Sequence, residues 1–588
     1  MPGLFGVIAK KPNISRAELR AMAMRMADSM QAQPWLRTEV WGDDAFCGGR
    51  VHLGVLNPDP QPMVADEGLS RIWFDGEVYL SPEKCGATPT PAEASAWLSQ
   101  RSLTDVEGVF TLTCYTPANR QLTIANDRFG FRPLYVTQTD EWFAYAAEVK
   151  ALLAIRDKLP DVDEIALRQF FGFGHMLSDR TWWTGISVVP PATVWRISPD
   201  TQMRSEYWSF AQIRRDPAPE RDVQDELGRL WAQSIRQRVK PGTMPLLLSG
   251  GFDSRLVLAE VRKQGSDVIA ITFGDPRCTD MTIAQQCAQI ARVAHHALPL
   301  TAENWWHGRE EAIWQTDGLI NCLDLHVSLA SDQMHVGNCH TLTNLSGDTL
   351  FGGSKLAGVS SDDWAMHPEK FLSHMYDEAP NPFFTRGEVI SASVADATPD
   401  MTGPSSDCFI FRQRQRRFIL YGGLAFAPYS DTVNPAATLP IVRLMLGSLT
   451  DEQRIKNKFY NPFLVRKYGE YFAEVPWQAT GRGLAESLPK RVLRGIKGVM
   501  GGAREDAFAD YDTFARDAMT REKLLESTLV VDEVLKGAAR RALADEKRPL
   551  GAYALMAIVG FETYFRRAAG MPRLPGIGAT LSAASPTV

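Results

Sequence analysis

A short apolar run, Met244-Pro-Leu-Leu-Leu248, passes directly into Ser249-Gly250-Gly251-Phe252-Asp253-Ser254, and a helical pattern follows from Ser254 to Lys263. An apolar run without alternation fits a strand buried on both faces. The pattern then repeats. Val268-Ile-Ala-Ile-Thr-Phe273 is a second such run, Thr282 to Val293 a second helical stretch, and His296 to Leu300 a third strand. Strands alternating with helices predict a parallel α/β sheet. Asp225 to Val239 reads as a helix leading into it, and Thr341-Leu-Thr-Asn-Leu345 as a further strand.

The strand–loop–helix context gives the hexapeptide its meaning. A helix N-terminus offers unpaired N–H groups and the positive end of a dipole, which favour phosphate. Two glycines let the backbone approach an anion closely. Ser249 and Ser254 add hydroxyls. Asp253 would repel a phosphate unless it holds Mg²⁺ against it. The structural alternative is a glycine turn capped by Asp and Ser. The Walker pattern G-x-x-x-x-G-K-[ST] is absent, which disfavours kinase or P-loop ATPase chemistry.

Residues 1–205 have a different period. Phe110-Thr-Leu-Thr-Cys-Tyr115 and Gln121-Leu-Thr-Ile-Ala125 alternate apolar and polar residues on either side of Pro117-Ala-Asn119, as paired strands do. Phe210 to Asp222 is polar, carries Pro217 and Pro219, and is expected to be a linker. Beyond about residue 355 helical segments dominate, with a loop around Pro380-Asn-Pro382. Three parts follow: 1–205, 220–570, and a tail at 571–588 rich in Pro, Gly, Ala and Ser.

Composition narrows the function. The 588 residues are ample for several cores, and 45% hydrophobic with 22% charged residues excludes wholesale disorder. A net charge of −6 is a poor match to a dedicated nucleic-acid binder. No apolar run is long enough to span a bilayer. The start lacks the marks of a secretory leader, so a cytoplasmic location is expected. None of the eight cysteines forms a C-x-x-C pair, which leaves no basis for a zinc ribbon or a disulfide framework.

The hexapeptide resembles the pyrophosphate-binding loop of the N-type ATP pyrophosphatases. Other short motifs in order narrow this to the asparagine synthetase family: Gly3-Leu-Phe-Gly-Val-Ile8, Gln61-Pro-Met63, Asp75-Gly-Glu-Val-Tyr79, Asn126-Asp-Arg-Phe-Gly-Phe-Arg-Pro-Leu-Tyr135 and Ala147-Glu-Val-Lys-Ala-Leu-Leu153. The resemblance implies an α+β Ntn-hydrolase-like sandwich domain followed by an α/β PP-loop synthetase domain with a helical C-terminal part. It also implies ATP and Mg²⁺, with Leu248, Ser249, Gly250, Gly251, Asp253 and Ser254 at the phosphates. Thr272 and Phe273 would lie at the adenine, Ser346 and Gly347 in a second phosphate-side loop, and Asp253 and Asp348 on the metal. Asp348 matches either the family's metal-binding aspartate or its catalytic glutamate. Asp280 and the helix after it match a further landmark. Asp317 falls where the family has an acid near the cleft, and Lys456 or Lys458, beside Arg454, where it has a lysine facing pyrophosphate.

The departures from the family are as informative. Its glutaminase nucleophile is an N-terminal cysteine, and this chain has Pro2. Its oxyanion-stabilising asparagine is Asp75 here, a carboxylate that would repel the developing charge. Its arginine-glycine-proline-aspartate stretch is not recognisable between Ala32 and Asp43. A glutaminase-dead scaffold is expected. Pro428-Tyr-Ser-Asp431 resembles a Pro-Phe-Leu-Asp stretch, but the Glu and Arg expected just before it are Ala425 and Phe426, which predicts a more apolar acceptor pocket. Trp182-Trp183 and Trp305-Trp306 are expected in a core or domain interface rather than in a peptide groove.

Together these imply an AMP-forming amide ligase that takes its amine from a source other than glutamine. The best match is a lasso-peptide macrolactam cyclase, which joins a peptide's N-terminal amine to an Asp or Glu side chain. Its partners would be a precursor peptide, a leader-peptide protease and a leader-recognition protein, with no nucleic acid and no membrane span. The alternatives are a β-lactam synthetase, an amide ligase acting on a small metabolite or polysaccharide precursor, a non-catalytic scaffold homologue, or a conventional glutamine-dependent synthetase.

Overall fold

The computed structural model describes residues 2–80, 86–99, 102–276, 278–301, 304–331, 340–354, 356, 366–376, 383–487, 521–548 and 550–574. Every residue of β1 (Gly3–Ala9) is buried. Side chains alternate across a strand, so Leu4 and Ile8 enter one core while Phe5 and Val7 enter another. The second face is covered by the helix Arg16–Met30, whose Leu19, Met22, Met26 and Met30 recur at helical spacing.

Eleven further strands complete the first unit: β2 (Arg37–Gly42), β3 (Phe46–His52), β4 (Met63–Ala65), β5 (Ser70–Val78), β6 (Gly108–Thr116), β7 (Gln121–Asn126), β8 (Tyr135–Gln138), β9 (Trp142–Ala146), β10 (Ile186–Val188), β11 (Thr193–Ile197) and β12 (Gln202–Glu206). They form two six-stranded sheets, β10-β8-β9-β1-β3-β2 and β12-β11-β7-β6-β5-β4. Leu4, Phe46, Phe143 and Tyr145 from one sheet meet Trp73, Tyr115 and Ile124 from the other, the core of a sandwich.

The second unit is built on three parallel strands, β13 (Met244–Leu247), β14 (Val268–Gly274) and β15 (Ala294–Pro299). The crossovers are the helices Phe252–Lys263 and Thr279–Ala291. β16 (His340–Leu342) lies beside β13 and pairs in parallel with β17 (Asp431–Val433). A ligand cleft is expected at the carboxyl ends of such strands.

Two expectations change. The stretch from Phe210 is docked: Phe210 and Ile213 are buried, Arg215 Nη1 donates to the Leu449 carbonyl at 2.7 Å, and a 19-residue helix starts at Glu220. The tail does not begin at Met571, because Leu574 is buried and Arg573 pairs with Glu310 at 3.0 Å. Residues 575–588 and the loop at Pro380–Pro382 lie outside the described residues. The units also share one core. Trp182, from the first, packs on Phe561 and Phe565 of the C-terminal helix Ala552–Ala568. Trp305 and Trp306 stack on each other, buried in that core. Among the described residues, no helix is long and apolar enough to cross a membrane, and the six cysteines are buried and unlinked.

Candidate active site

The loop between β13 and the helix Phe252–Lys263 is held from both sides. On one side Ser254 Oγ accepts the Ser249 N–H at 3.0 Å, and Ser249 Oγ accepts the Gly251 N–H at 3.2 Å. On the other, fully buried Arg255 donates to the carbonyls of Gly250 (2.8 Å), Gly251 (3.0 Å), Tyr471 (3.2 Å) and Pro476 (3.0 Å). With its carbonyls drawn to Arg255, the loop donates its Ser249, Gly250 and Gly251 N–H groups to the side chains of Ser254, Asp280 and Ser249. The Gly250 N–H donates to Asp280 Oδ1 at 2.5 Å, and a Cβ on Gly250 would lie 2.9 Å from that oxygen.

A cavity of about 340 Å³ opens here. It is bordered by Leu248, Ser249, Asp253 and Ser254 on the loop, Thr272, Phe273 and Gly274 at the end of β14, and Thr343, Asn344 and Leu345 after β16. Cys278 and His326 close the end beside Phe273, whose ring centroid is 5.3 Å from that of His326. The volume is in the range of small-molecule sites.

Asp253 and Asp348 are brought together. Asp253 Oδ1 accepts from Tyr460 Oη at 2.9 Å, and Asp253 Oδ2 accepts from the Asp348 N–H at 2.8 Å. Burial and the Asp348 charge push the Asp253 carboxyl up to about 7. Asp253 is half-buried and Asp348 exposed, and a divalent cation beside them would offset the repulsion between two neighbouring carboxylates. Among the described residues no group of three His, Cys, Asp or Glu could hold a metal. What these residues could offer a divalent cation such as Mg²⁺ is the two carboxylates of Asp253 and Asp348.

Some expected site residues stand differently. Gly250, Gly251, Ser346, Gly347 and Asp348 do not border the cavity. Buried Ser346 instead accepts from Asn434 Nδ2 at 2.8 Å, and the segment Thr343–Leu345 faces the cavity in its place. Arg454 is fully buried, ion-paired to Asp407 and to Asp451 (2.8 Å), so it is structural. Lys456 and Lys458 are exposed and make no ion pair among the described residues. Their segment packs on the helix Gly347–Gly352 that begins beside Asp348. Asp317 is a correction: it lies outside the cleft, 3% exposed, with a φ of 52°. Its carboxylate caps the helix Val149–Leu153 of the first unit, accepting from Val149 N (2.7 Å) and Lys150 N (3.0 Å). Ala425 and Phe426 are also corrected. They are buried at 0% and 2% exposure and border neither cavity. Arg255, Tyr460, Asn344 and His326 were not singled out from sequence.

A second cavity, about 60 Å³, lies between the units and is bordered by Pro2, Arg132, Asp431, Asn434, Leu420, Gly423, Leu424 and Ala427. Pro2 stands just ahead of β1. Arg132 pairs with Asp75 at 2.5 Å and reaches Asp431 of the second unit at 3.7 Å. The N–H after Asp75, on Gly76, donates to Asn57 Oδ1 at 2.9 Å. Cys47 sits buried in β3, its thiol pushed up to about 11 by burial. Among the described residues that border this cavity there is no cysteine.

Fold and site thus define a two-part architecture: a sandwich of two antiparallel sheets joined to a parallel α/β unit with a glycine-bearing strand–loop–helix turn. Residues 93–208 match the glutamine amidotransferase domain family, and residues 223–391 match the asparagine synthase family. The two matches fall in the order that asparagine synthetases carry, and the chain is similar to that family along both units. It is 20% identical over 377 residues to asparagine synthetase [glutamine-hydrolyzing] 1 of Bacillus subtilis, covering 60% of this chain and 59% of that protein. It is 24% identical over 253 residues to asparagine synthetase [glutamine-hydrolyzing] 3 of the same organism, covering 40% and 41%. The chain therefore matches about half the length of these relatives.

Proposed function

We propose that this chain is an ATP-dependent, AMP-forming carbon–nitrogen ligase whose amine does not come from glutamine. The observation that supports it best is a phosphate loop with a carboxylate pair beside a nucleotide-sized cavity, in a chain whose amidotransferase corner is filled by Pro2 and the Asp75–Arg132 pair. ATP enters as a substrate. A carboxylate oxygen of the acceptor attacks the α-phosphorus, and the bond to the β-phosphate oxygen breaks, releasing pyrophosphate. An amine then attacks the acyl carbon, AMP leaves, and the amine's proton passes to solvent. Mg²⁺, held by Asp253 and Asp348, would neutralise charge on the phosphates. Arg255 fixes the loop beside the cavity through its carbonyls, and Lys456 or Lys458 would counter charge on the departing pyrophosphate.

The amine is best supplied by the substrate itself. Well-oriented intramolecular groups reach effective molarities of about 10⁵ M or more, above any free amine in a cell. We therefore read the substrate as a peptide closed into a macrolactam, from its N-terminal amine to an Asp or Glu side chain. A precursor peptide, a leader-peptide protease and a leader-recognition protein would be its partners. The small interdomain cavity, walled by Leu420, Gly423, Leu424 and Ala427, suits an amine arriving shielded from water. The test is mass spectrometry of a candidate core peptide incubated with Mg-ATP and the protein. Loss of one water from the peptide, one AMP per ring, is expected. Free asparagine as the sole product would contradict the peptide reading.

A further inference from the structure

The segment Thr343-Asn344-Leu345 separates the two cavities: Thr343 and Leu345 border both, and Asn344 borders only the nucleotide cavity. Asn344 is 5% exposed, yet neither Nδ2 nor Oδ1 has a hydrogen-bond partner among the described residues. Buried polar groups are nearly always paired, and an orphaned carboxamide is more costly than an apolar side chain of the same shape. Thr343 before it donates its Oγ1 to the Val433 carbonyl and Leu345 after it is apolar, so neither neighbour gives a partner or a reason for an amide. A ligand in the cavity does.

Position identifies the part of the ligand. A Cβ built on Gly347 would lie 2.4 Å from Asn344 Nδ2 and 2.5 Å from Asp253 Oδ1. The carboxamide and the metal-side carboxylate thus converge on one point. The opposite end, with Phe273, Cys278 and His326, offers rings and a thiol and suits a flat base. We propose that Asn344 binds the phosphate chain of the nucleotide at its metal end, donating to a non-bridging phosphate oxygen and accepting from a bound water or ribose hydroxyl. The proposal rests on the nucleotide reading of this site and adds a residue that positions the phosphorus under attack.

The test is calorimetric titration of the purified protein and three variants with Mg-ATP and, separately, adenosine, alongside thermal melting. Asn344→Leu keeps the shape and removes the polar atoms, Asn344→Ala removes both, and Asn344→Asp puts a third carboxylate beside the phosphates. The Leu and Ala variants are expected to bind Mg-ATP about 10-fold more weakly, and Asn344→Asp about 100-fold, the scale of hydrogen bonds to charged groups. Adenosine affinity should stay within about twofold throughout, and the Leu variant should melt no lower than wild type. A merely structural Asn344 would instead lower the melting temperature and weaken both ligands together, which overturns the proposal. Unchanged Mg-ATP affinity in the Leu and Asp variants overturns it too. Wild-type protein binding neither ligand would overturn the nucleotide reading itself, and this assignment with it.

Discussion

The hexapeptide and the Ser346–Gly353 stretch singled out Asp253 and Asp348, and the fold brings the two together. Their partners were not singled out. Arg255, one residue past the loop, reads in sequence as a solvated helix cation, yet it is the buried post on which four carbonyls hang. Asp317 failed the other way: the family resemblance implies an acid near the cleft at this position, while its carboxylate is spent on a helix N-terminus 168 residues away in sequence. Asp253→Asn and Asp348→Asn should each lower AMP formation at least about 100-fold while leaving circular dichroism unchanged, since each removes a charge needed only when metal and phosphate are bound. Arg255→Met should cost about 3 kcal/mol of stability in urea unfolding, because it strands buried carbonyls. An Arg255→Met protein as stable as wild type would show that the loop carbonyls find other donors.

Among the elements, β13, β14 and their crossover helices were readable from apolar runs and period, to within a few residues at the ends. β16 and β17 were harder. Each is three residues long, and they pair across about ninety residues, His340 opposite Asp431. No local period announces such a contact. It matters because β16 ends where Thr343 to Leu345 enter the cavity, and β17 begins with the Asp431 that Arg132 reaches. The short helix Gly347–Gly352 depends on close approach at its first residue, where a side chain would meet Asn344 and Asp253. Gly347→Ala should therefore weaken Mg-ATP binding by at least about 10-fold while costing only about 1 kcal/mol of stability, read by calorimetric titration beside thermal melting. A loss of stability without a loss of binding would place the effect in the helix and not in the site.

At the scale of the whole molecule, the first unit has kept its sandwich and is fastened to the second by buried charge. Asp317 caps the helix at Val149, and Arg132 lies between Asp75 and Asp431. Composition and motif order revealed two units. The fastening could not be read, because each bond joins residues from opposite ends of the chain. Arg132→Ala leaves two carboxylates facing each other in a closed corner, and Asp431 is already raised to about 6 by burial. It should destabilise the protein by about 3 kcal/mol in chemical denaturation, and under the proposed function it should yield no glutamine hydrolysis. The central claim is that a working nucleotide site has been uncoupled from glutamine. Its most direct test follows the nucleotide and glutamine products together, by chromatography, when the protein is given Mg-ATP and a peptide with a free N-terminal amine and an internal Asp or Glu. The account predicts AMP and pyrophosphate in equal amounts, a peptide lighter by one water, and no glutamate released from added glutamine. ADP in place of AMP, or peptide-dependent turnover that consumes glutamine, would contradict it.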